Sequence, residues 1–570
     1  MSTTVGGVRA PSPVERLWNR ELSRFPSEST RYISLGIVVL TTIVLYYQLY
    51  LAGGVATAIL RDLNMSFVYY VNVSVIGYVL GASAAIIAGL ADRYGRANIV
   101  TFGLAVTGLL CAVALPSVHS KLGFGIVYVA IGFVEGIILV ATPALVRDFS
   151  PQLGRASAMG FWTLGPVLGS LVVSAVVSNS APDTTWQHQY VICGIVGLVV
   201  FAIALVGLRE LSPRLRDQLM VSHKDRALIE ARAQGLDLKE ALRHPFRQML
   251  RLDILASAFA ISVFLITYYL AVGFFPVFFE TIFGYSQSKA NALGNWFWSF
   301  DAAALLIVGV ISDRMRVRKP FMVIGAVAAA ISTTVFALKT TQPETSYTTF
   351  VILLSLIAVS LGTAFAPWMA SFTETVERRN PALIATGLAV WGLVIRLVIA
   401  VSVFFVPKVV TTVTPLVEKG PIVQQVLADP APVGTTTVGA VATAASEHPD
   451  VIAKLQAAKA SGAAPTPQET AAAAKALGPA NLAALAQPTP ALQKGLTTLA
   501  AQGPAVAEAA ADSPKQWQTY FFVGVGGEVV FIPLILLMAG FWDPRTARRA
   551  EEEHEARIAQ ELAALRGASA

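Results

Sequence analysis

The stretch GLADRYGRANIV, residues 89–100, ends a long apolar run with Asp92 and Arg93 and follows them with Gly95 and Arg96 before the next apolar run begins. A second stretch, GVISDRMRVRKP at 309–320, does the same with Asp313 and Arg314. An aspartate at a helix end can pair with an arginine or face the positive N-terminus of a neighbouring helix. Two copies of one device, far apart in the chain, predict two structurally repeated halves. A weaker echo runs between AMGFWTLGPVLG (158–169) and ATGLAVWGLVIR (385–396). There Gly160 matches Gly387 and Gly165 matches Gly392, and small residues let helices approach closely.

The runs that flank these loops set the fold class. Of 570 residues, 55% are hydrophobic and 14% charged, whereas soluble domains carry about 25% charged residues. Mean hydropathy is +0.62. A soluble core could not hide so much apolar surface, so a bilayer is the natural solvent. Twelve runs are long enough to cross it, near 34–60, 67–91, 97–117, 121–146, 156–178, 188–208, 252–283, 290–312, 320–338, 347–373, 382–411 and 517–541. Irregular backbone is costly in lipid, so each is predicted as a helix.

Charge orients the spans. With both termini cytoplasmic, 30 of the 42 basic residues fall in inside segments, as the positive-inside rule requires. The same scatter of charge in short clusters argues against nucleic acid, despite a net charge of +7. The divisions are a cytoplasmic tail (1–33), a six-span half (34–208), a charged linker (209–251), five spans (252–412), an external insertion (413–516), a last span (517–541) and a second tail (542–570). The insertion is rich in Ala, Pro and Thr and has no Arg. It reads either as a flexible, weakly helical appendage or as a cap or docking module. The start of the chain is polar, with no cleavable apolar segment, so the first span is expected to serve as its own insertion signal.

Enzyme chemistry finds little support. Cys111 and Cys193 sit inside apolar runs, and the six histidines lie in loops, near span ends or in tails. No metal-spaced cluster, nucleophile–base pair or phosphate loop stands out, so no metal, cofactor or catalytic residue is expected.

The DRYGR run resembles the signature loop of the major facilitator superfamily, usually G-x-x-x-D-R-x-G-R-R. Asp92, Arg93, Gly95 and Arg96 match it, while Ala88 and Ala97 depart from it. The second copy keeps Gly309, Asp313 and Arg314. The resemblance implies an all-α membrane protein, with twelve transmembrane helices in two pseudo-symmetric six-helix bundles. It also implies that Asp92 faces the start of span eleven near Pro381, and Asp313 the start of span five near Arg155. Arg147 and Glu374, at matching ends of spans four and ten, complete the expected gate. GPVLG (165–169) resembles a span-five motif of proton-coupled exporters, and equally suits plain helix packing.

Charges at mid-depth are functional candidates because each costs several kcal/mol without a partner, about +2.5–3.5 on insertion scales. Asp301 precedes Asp313 by twelve residues, about 18 Å along a helix. Glu135, Arg396 and Glu528 are similarly deep. On the superfamily plan Glu135, Asp301 and Arg396 reach the central cavity, and Glu528 is expected as a paired structural charge. A guanidinium stays protonated and grips a carboxylate or phosphate as a fork, so Arg396 is the expected substrate anchor, or else the ion-pair partner of Asp301. Glu135 and Asp301 are the proton-coupling candidates. Tyr46, Gln48 and Tyr50 in span one, and Tyr268 and Tyr269 in span seven, join Asn291, Asn295 and Trp368 as polar or aromatic lining, or as packing.

The leading expectation is a monomeric, proton-coupled carrier of a small organic anion in a bacterial plasma membrane. Its partners would be the solute, protons and membrane lipid. A drug or metabolite exporter of the same fold is the alternative, and a sensor on a carrier fold is a third.

Overall fold

In hydrocarbon no water satisfies backbone N–H and C=O groups, so an apolar run closes its hydrogen bonds within itself. The computed structural model describes residues 20–22, 24–84, 95–149, 163–212, 215, 245–379, 384–461, 466–538, 540–550, 552–553 and 556. Asp92, Arg93, Arg155, Gly160 and Pro381 lie outside these residues, as does the side chain of Arg147.

The chain forms two compact units, residues 1–409 with 517–570, and residues 410–516. The first unit holds α1 (Glu28–Gly54), α2 (Ala56–Asp62), α3 (Phe67–Ala84), α4 (Arg96–Leu109), α5 (Lys121–Phe149), α6 (Gly165–Ser178) and α7 (Trp186–Gly207). A π-helical turn, Leu110–Ala114, extends α4. It continues with α8 (Leu252–Phe264), α9 (Ile266–Phe283), α10 (Gln287–Met315), α11 (Lys319–Lys339), α12 (Tyr347–Arg379) and α13 (Ile384–Val409). The predicted seventh span is one stretch of 32 residues, Leu252–Phe283, in which the single residue Leu265 (φ −82°, ψ 6°) separates α8 from α9.

Local chemistry marks the helix ends. Thr185 caps α7 by accepting from the His188 N–H, and Ser286 caps α10 by accepting from that of Lys289. Gly284 closes α9 with φ +62°, a conformation that costs other residues energy.

Among the described residues ten helices are long and apolar enough to cross a membrane. The number is eleven if α2 and α3, bent by 118°, form one span. The twelve expected from sequence are thus not all met. The second and fifth runs fall short because residues 85–94 and 150–162 lie outside the description, which leaves α6 with only 14 residues.

Lipid is as apolar as a leucine side chain, so helices associate by close packing. In the first half, α1, α4, α5 and α7 share a core of Val38, Leu45, Leu104, Leu145 and Ala204. In the second, α10 and α11 both pack on α12, and α8 packs on α13. Between the helices before and after the linker, α6 lies on α10, α1 on α9, and α3 on α13.

The tail before α1 is tied down. β1 (Glu21–Leu22) pairs in parallel with β2 (Glu210–Leu211) at the start of the linker. Buried Arg20 donates to Thr101 Oγ1 and to the carbonyls of Ala204, Leu205 and Leu208, closing the C-terminus of α7. Burial, reinforced by Arg209 nearby, pulls the Arg20 guanidinium below its ordinary pKa.

The second unit is a helical domain in its own right. It contains α14 (Val413–Glu418), α15 (Gly420–Ala428), α16 (Val438–Glu447), α17 (Pro449–Ser461), α18 (Pro467–Leu477), α19 (Pro479–Ala486) and α20 (Pro490–Leu534) as far as Gln516. The stretch that reads as a weakly helical appendage holds these helices, including Pro449–Ser461 and Pro467–Leu477. Pro467 and Pro479 sit at helix N-termini, where no N–H is missed. Thr466 and Glu469 form a capping box on α18, and the Thr466 hydroxyl and N–H hold the Glu469 carboxyl below its usual pKa. Val433, Val438, Val441, Ala484 and Leu492 make the core.

Candidate functional site

Residues one helical turn apart share a face. Tyr46 and Tyr50 of α1 do so, with ring centroids 5.3 Å apart. Gly169 of α6 lets that helix press on Tyr46, since a Cβ there would lie 2.5 Å from the Tyr46 Cβ. Tyr268 and Tyr269 of α9 stand edge to face at 5.2 Å, and Tyr268 leans on Trp298. Tyr50 is within electrostatic range of both α9 tyrosines and of Tyr78 on α3. Tyr78 belongs to this cluster and did not stand out in the sequence, where Tyr69 and Tyr70 share its run.

Arg396 of α13 joins the same cluster. It is half-buried and lies within electrostatic range of Tyr46 and Tyr269. No hydrogen bond or ion pair links it to a described residue, Asp301 included. The alternative of an Arg396–Asp301 pair is therefore not met. Asp301 is 2% exposed, and its Oδ1 points at α12, where a Cβ on Gly362 would lie 3.0 Å away.

Glu135 of α5 is 1% exposed, and both of its carboxyl oxygens are buried without a partner among the described residues. Tyr46, Tyr78, Tyr128 and Cys111 are within its electrostatic range. Gln48 points the other way from Tyr46, because two residues on a helix differ by about 200°. It faces α7, where a Cβ on Gly197 would strike its Nε2, and both its amide atoms are buried and unpartnered. Trp368 is fully buried and donates to Ser257 Oγ at 3.1 Å. Glu528 has no ion pair among the described residues. It accepts instead from Thr267 at 2.8 Å and Thr333 at 2.9 Å, so the expected paired charge is a hydrogen-bonded carboxyl.

At the end of the bundle away from the signature loops, the two halves are joined. Asn295 donates to Ser178 Oγ at 2.9 Å, and Asn291 to the Gly54 carbonyl at 2.8 Å. Ser288 donates to the Ser178 carbonyl, and Thr57 to Glu280. A Cβ at Gly53 would collide with the Val272 carbonyl, so α1 and α9 touch backbone to backbone. Just inside this seal lies a cavity of about 30 Å³ lined by Tyr50, Ser170, Ala271, Asn291 and Trp298. Asn295 thus stands in the seal rather than beside Arg396. Of this seal only Asn291 and Asn295 stand out in the sequence, and the glycines, serines and backbone carbonyls that complete it do not.

The signature-loop end carries matched ion pairs. Arg96 grips Asp148 at the end of α5 with both carboxyl oxygens within 3.0 Å. Arg318 holds Asp313 at 2.6 Å and Glu374 at the end of α12 at 3.0 Å. Arg314 is exposed. Asp148 and Arg318 were not singled out beforehand, although each is a charge at the end of an apolar run. Glu210 accepts from the Arg96 N–H, and Gly95 (φ +90°) leaves room for its carboxylate. Asp313 is 68% exposed, so its pair with Arg318 contributes at most about 1 kcal/mol. The Arg96–Asp148 pair, at 14% and 10%, is better shielded.

The profile described as Major Facilitator Superfamily matches residues 38–407. The crystal structure of a bacterial homolog to the human lysosomal transporter Spinster, inward-facing and unoccupied, is 14% identical with a TM-score of 0.55. The match covers 89% of this chain and 99% of that one. A D-xylose-proton symporter is 15% identical with a TM-score of 0.52, over 67% of this chain and 90% of that one. "Probable anion transporter 3, chloroplastic" of Oryza sativa subsp. japonica is 24% identical over 251 residues, which are 42% of this chain and 46% of the relative. "MFS-type transporter oryF" of Aspergillus oryzae is 27% identical over 157 residues, 27% of this chain and 32% of the relative. The chain spans less than half the length of these curated relatives. The fold is that of a multi-pass membrane carrier, not of a catalytic enzyme.

Proposed function

Since the chain belongs to the Major Facilitator Superfamily, and so is a secondary transporter of a small solute, we propose that the solute is an organic anion moved by alternating access coupled to protons. The carrier would be a monomer of twelve spans in two six-helix halves, rocking about the mid-membrane site, with both termini inside a bacterial plasma membrane. The excess of Lys and Arg in the inside segments supports that orientation.

One observation carries the reading. Arg396 is a deep cation with no hydrogen-bond or ionic partner among the described residues, within electrostatic range of Tyr46 and Tyr269. An anionic solute supplies the missing charge, and a guanidinium fork orients it. Glu135, unpartnered and within range of the same tyrosine, is the proton carrier, with Asp301 the other candidate. Matches to relatives named probable anion transporters lend further support. Asp92, Asp313 and the ion pairs around Arg96 and Arg318 would latch the loop end when the opposite end opens. The exporter alternative draws on GPVLG, but Gly165 and Gly169 are taken up by contact with Thr42 and Tyr46, as packing alone demands.

Counterflow in proteoliposomes tests the reading, using labelled carboxylates, sugars and cationic drugs with and without a pH gradient. Carboxylates should exchange, and Arg396→Gln should abolish exchange at normal expression. Unchanged anion exchange in Arg396→Gln refutes the anchor.

A further inference from the structure

Glu528 lies in the part of α20 that belongs to the first unit. It is 0% exposed. Its Oε1 accepts from Thr267 of α9 and Thr333 of α11, and its Oε2 is buried without a hydrogen-bond partner among the described residues. A carboxyl in hydrocarbon is costly wherever it has no task.

Thr267 is the second residue of α9, just past the break at Leu265. The Leu265 N–H still donates to the Ile261 carbonyl at 3.0 Å and the Tyr269 N–H to the Leu265 carbonyl at 3.1 Å, so the joint is a single irregular residue within one span. Leu265 supplies no side-chain cap. Helix α20 packs tightly on this point. A Cβ at Gly524 would lie 2.5 Å from Thr267 Oγ1, and one at Gly527 would collide with the Val263 carbonyl. Phe531, one turn on, packs on Phe264 with centroids 4.7 Å apart. Two glycines, a glutamate and a phenylalanine on one helix thus meet both sides of the break.

The two residues after Thr267 are Tyr268 and Tyr269. Through them the break reaches the solute cluster, because Tyr269 is within electrostatic range of Arg396 and Tyr46. A span with an irregular residue has freedom to rotate at that joint, and the rotation would carry both rings out of register. We propose that Glu528 is a positioning residue that tethers the start of α9 through Thr267 and so fixes where Tyr268 and Tyr269 stand in the solute site. The solute role of the tyrosines rests on the reading above. The tether does not.

The test uses the full-length protein in proteoliposomes and hydrogen–deuterium exchange read by mass spectrometry. In Glu528→Leu, amides of residues 262–270 should exchange about tenfold faster, with the rest of α8 to α13 unchanged. Glu528→Gln keeps an acceptor oxygen and should match the parent protein. Thr267→Val removes the donor, should reproduce the Leu result, and covers the case in which Glu528→Leu fails to fold. In the same vesicles, uptake of labelled succinate, lactate and benzoate is measured. For whichever is carried, KM should rise about tenfold at a retained maximal rate. Unchanged exchange at 262–270 in folded Glu528→Leu and Thr267→Val overturns the proposal, and so does a uniform rise across α8 to α13. If exchange rises locally while the parent protein carries none of the three anions, the tether stands and the anion reading falls.

Discussion

A single carboxyl, Glu135, separates two ways of using the tyrosine cluster. Its oxygens have no hydrogen-bond partner among the described residues, so its charge is what the site can change. Glu135→Gln keeps shape and removes that change. Solute-for-solute counterflow should persist in this variant, while uptake driven by a pH gradient should fall at least about tenfold. Gradient-driven uptake that survives in full would move the proton to Asp301. The residues of this site were legible to different degrees. Arg396, Glu135 and Asp301 could be found because a charge in an apolar run is conspicuous. Which way each points could not, since that depends on the rotation of its helix against neighbours. Gln48 and Tyr46 are two positions apart and face different helices, and only packing separates them. Trp368 reads as a ligand-binding aromatic, yet its indole N–H is satisfied inside the second half by Ser257.

Among elements, the contact of α1 with α9 decides which end of the bundle is shut. Gly53 allows it, since any side chain there meets the Val272 carbonyl. Gly53→Val should wedge the two helices apart, because overpacking by a few methyl groups costs about 1–3 kcal/mol. Spin labels on α2 and α10 should then show a longer distance in double electron–electron resonance, and transport should drop. An unchanged distance distribution would mean that the seal is held by the Asn291, Asn295 and Ser288 hydrogen bonds instead. Helix existence was readable from apolar length, but breaks within runs were not. Leu265 interrupts the seventh span with no Pro or Gly at the break, so composition carried no mark of it. The insertion was legible only in part. Several of its Pro residues start helices, Pro504 and Pro514 lie inside α20, and its core is built from Val, Ala and Leu too sparse to register as a periodic pattern.

For the molecule as a whole, the two loops that opened the reading proved to be half of each device. Asp313 is described with Arg318 and Glu374, and Arg96 with Asp148, so each signature loop is tied to the end of a later helix in its own half. Arg318→Ala should release both Asp313 and Glu374 and, with one partner partly shielded, cost about 1 kcal/mol in the stability of the second half. Thermal unfolding of the solubilised protein measures it, and a shift matching that of Arg314→Ala would show that the pairing adds nothing. The second unit carries a different consequence. Gln516, at its last residue, accepts from the N–H of Thr411 at 2.8 Å and binds the Thr412 hydroxyl as well. The chain therefore enters and leaves the insertion through one doorway. It has the layout of a cassette, which can be lifted out without stretching the helices on either side. Replacing residues 413–514 with a short Gly–Ser bridge should leave a carrier that still folds, and another small domain with neighbouring ends should be accepted in the same slot.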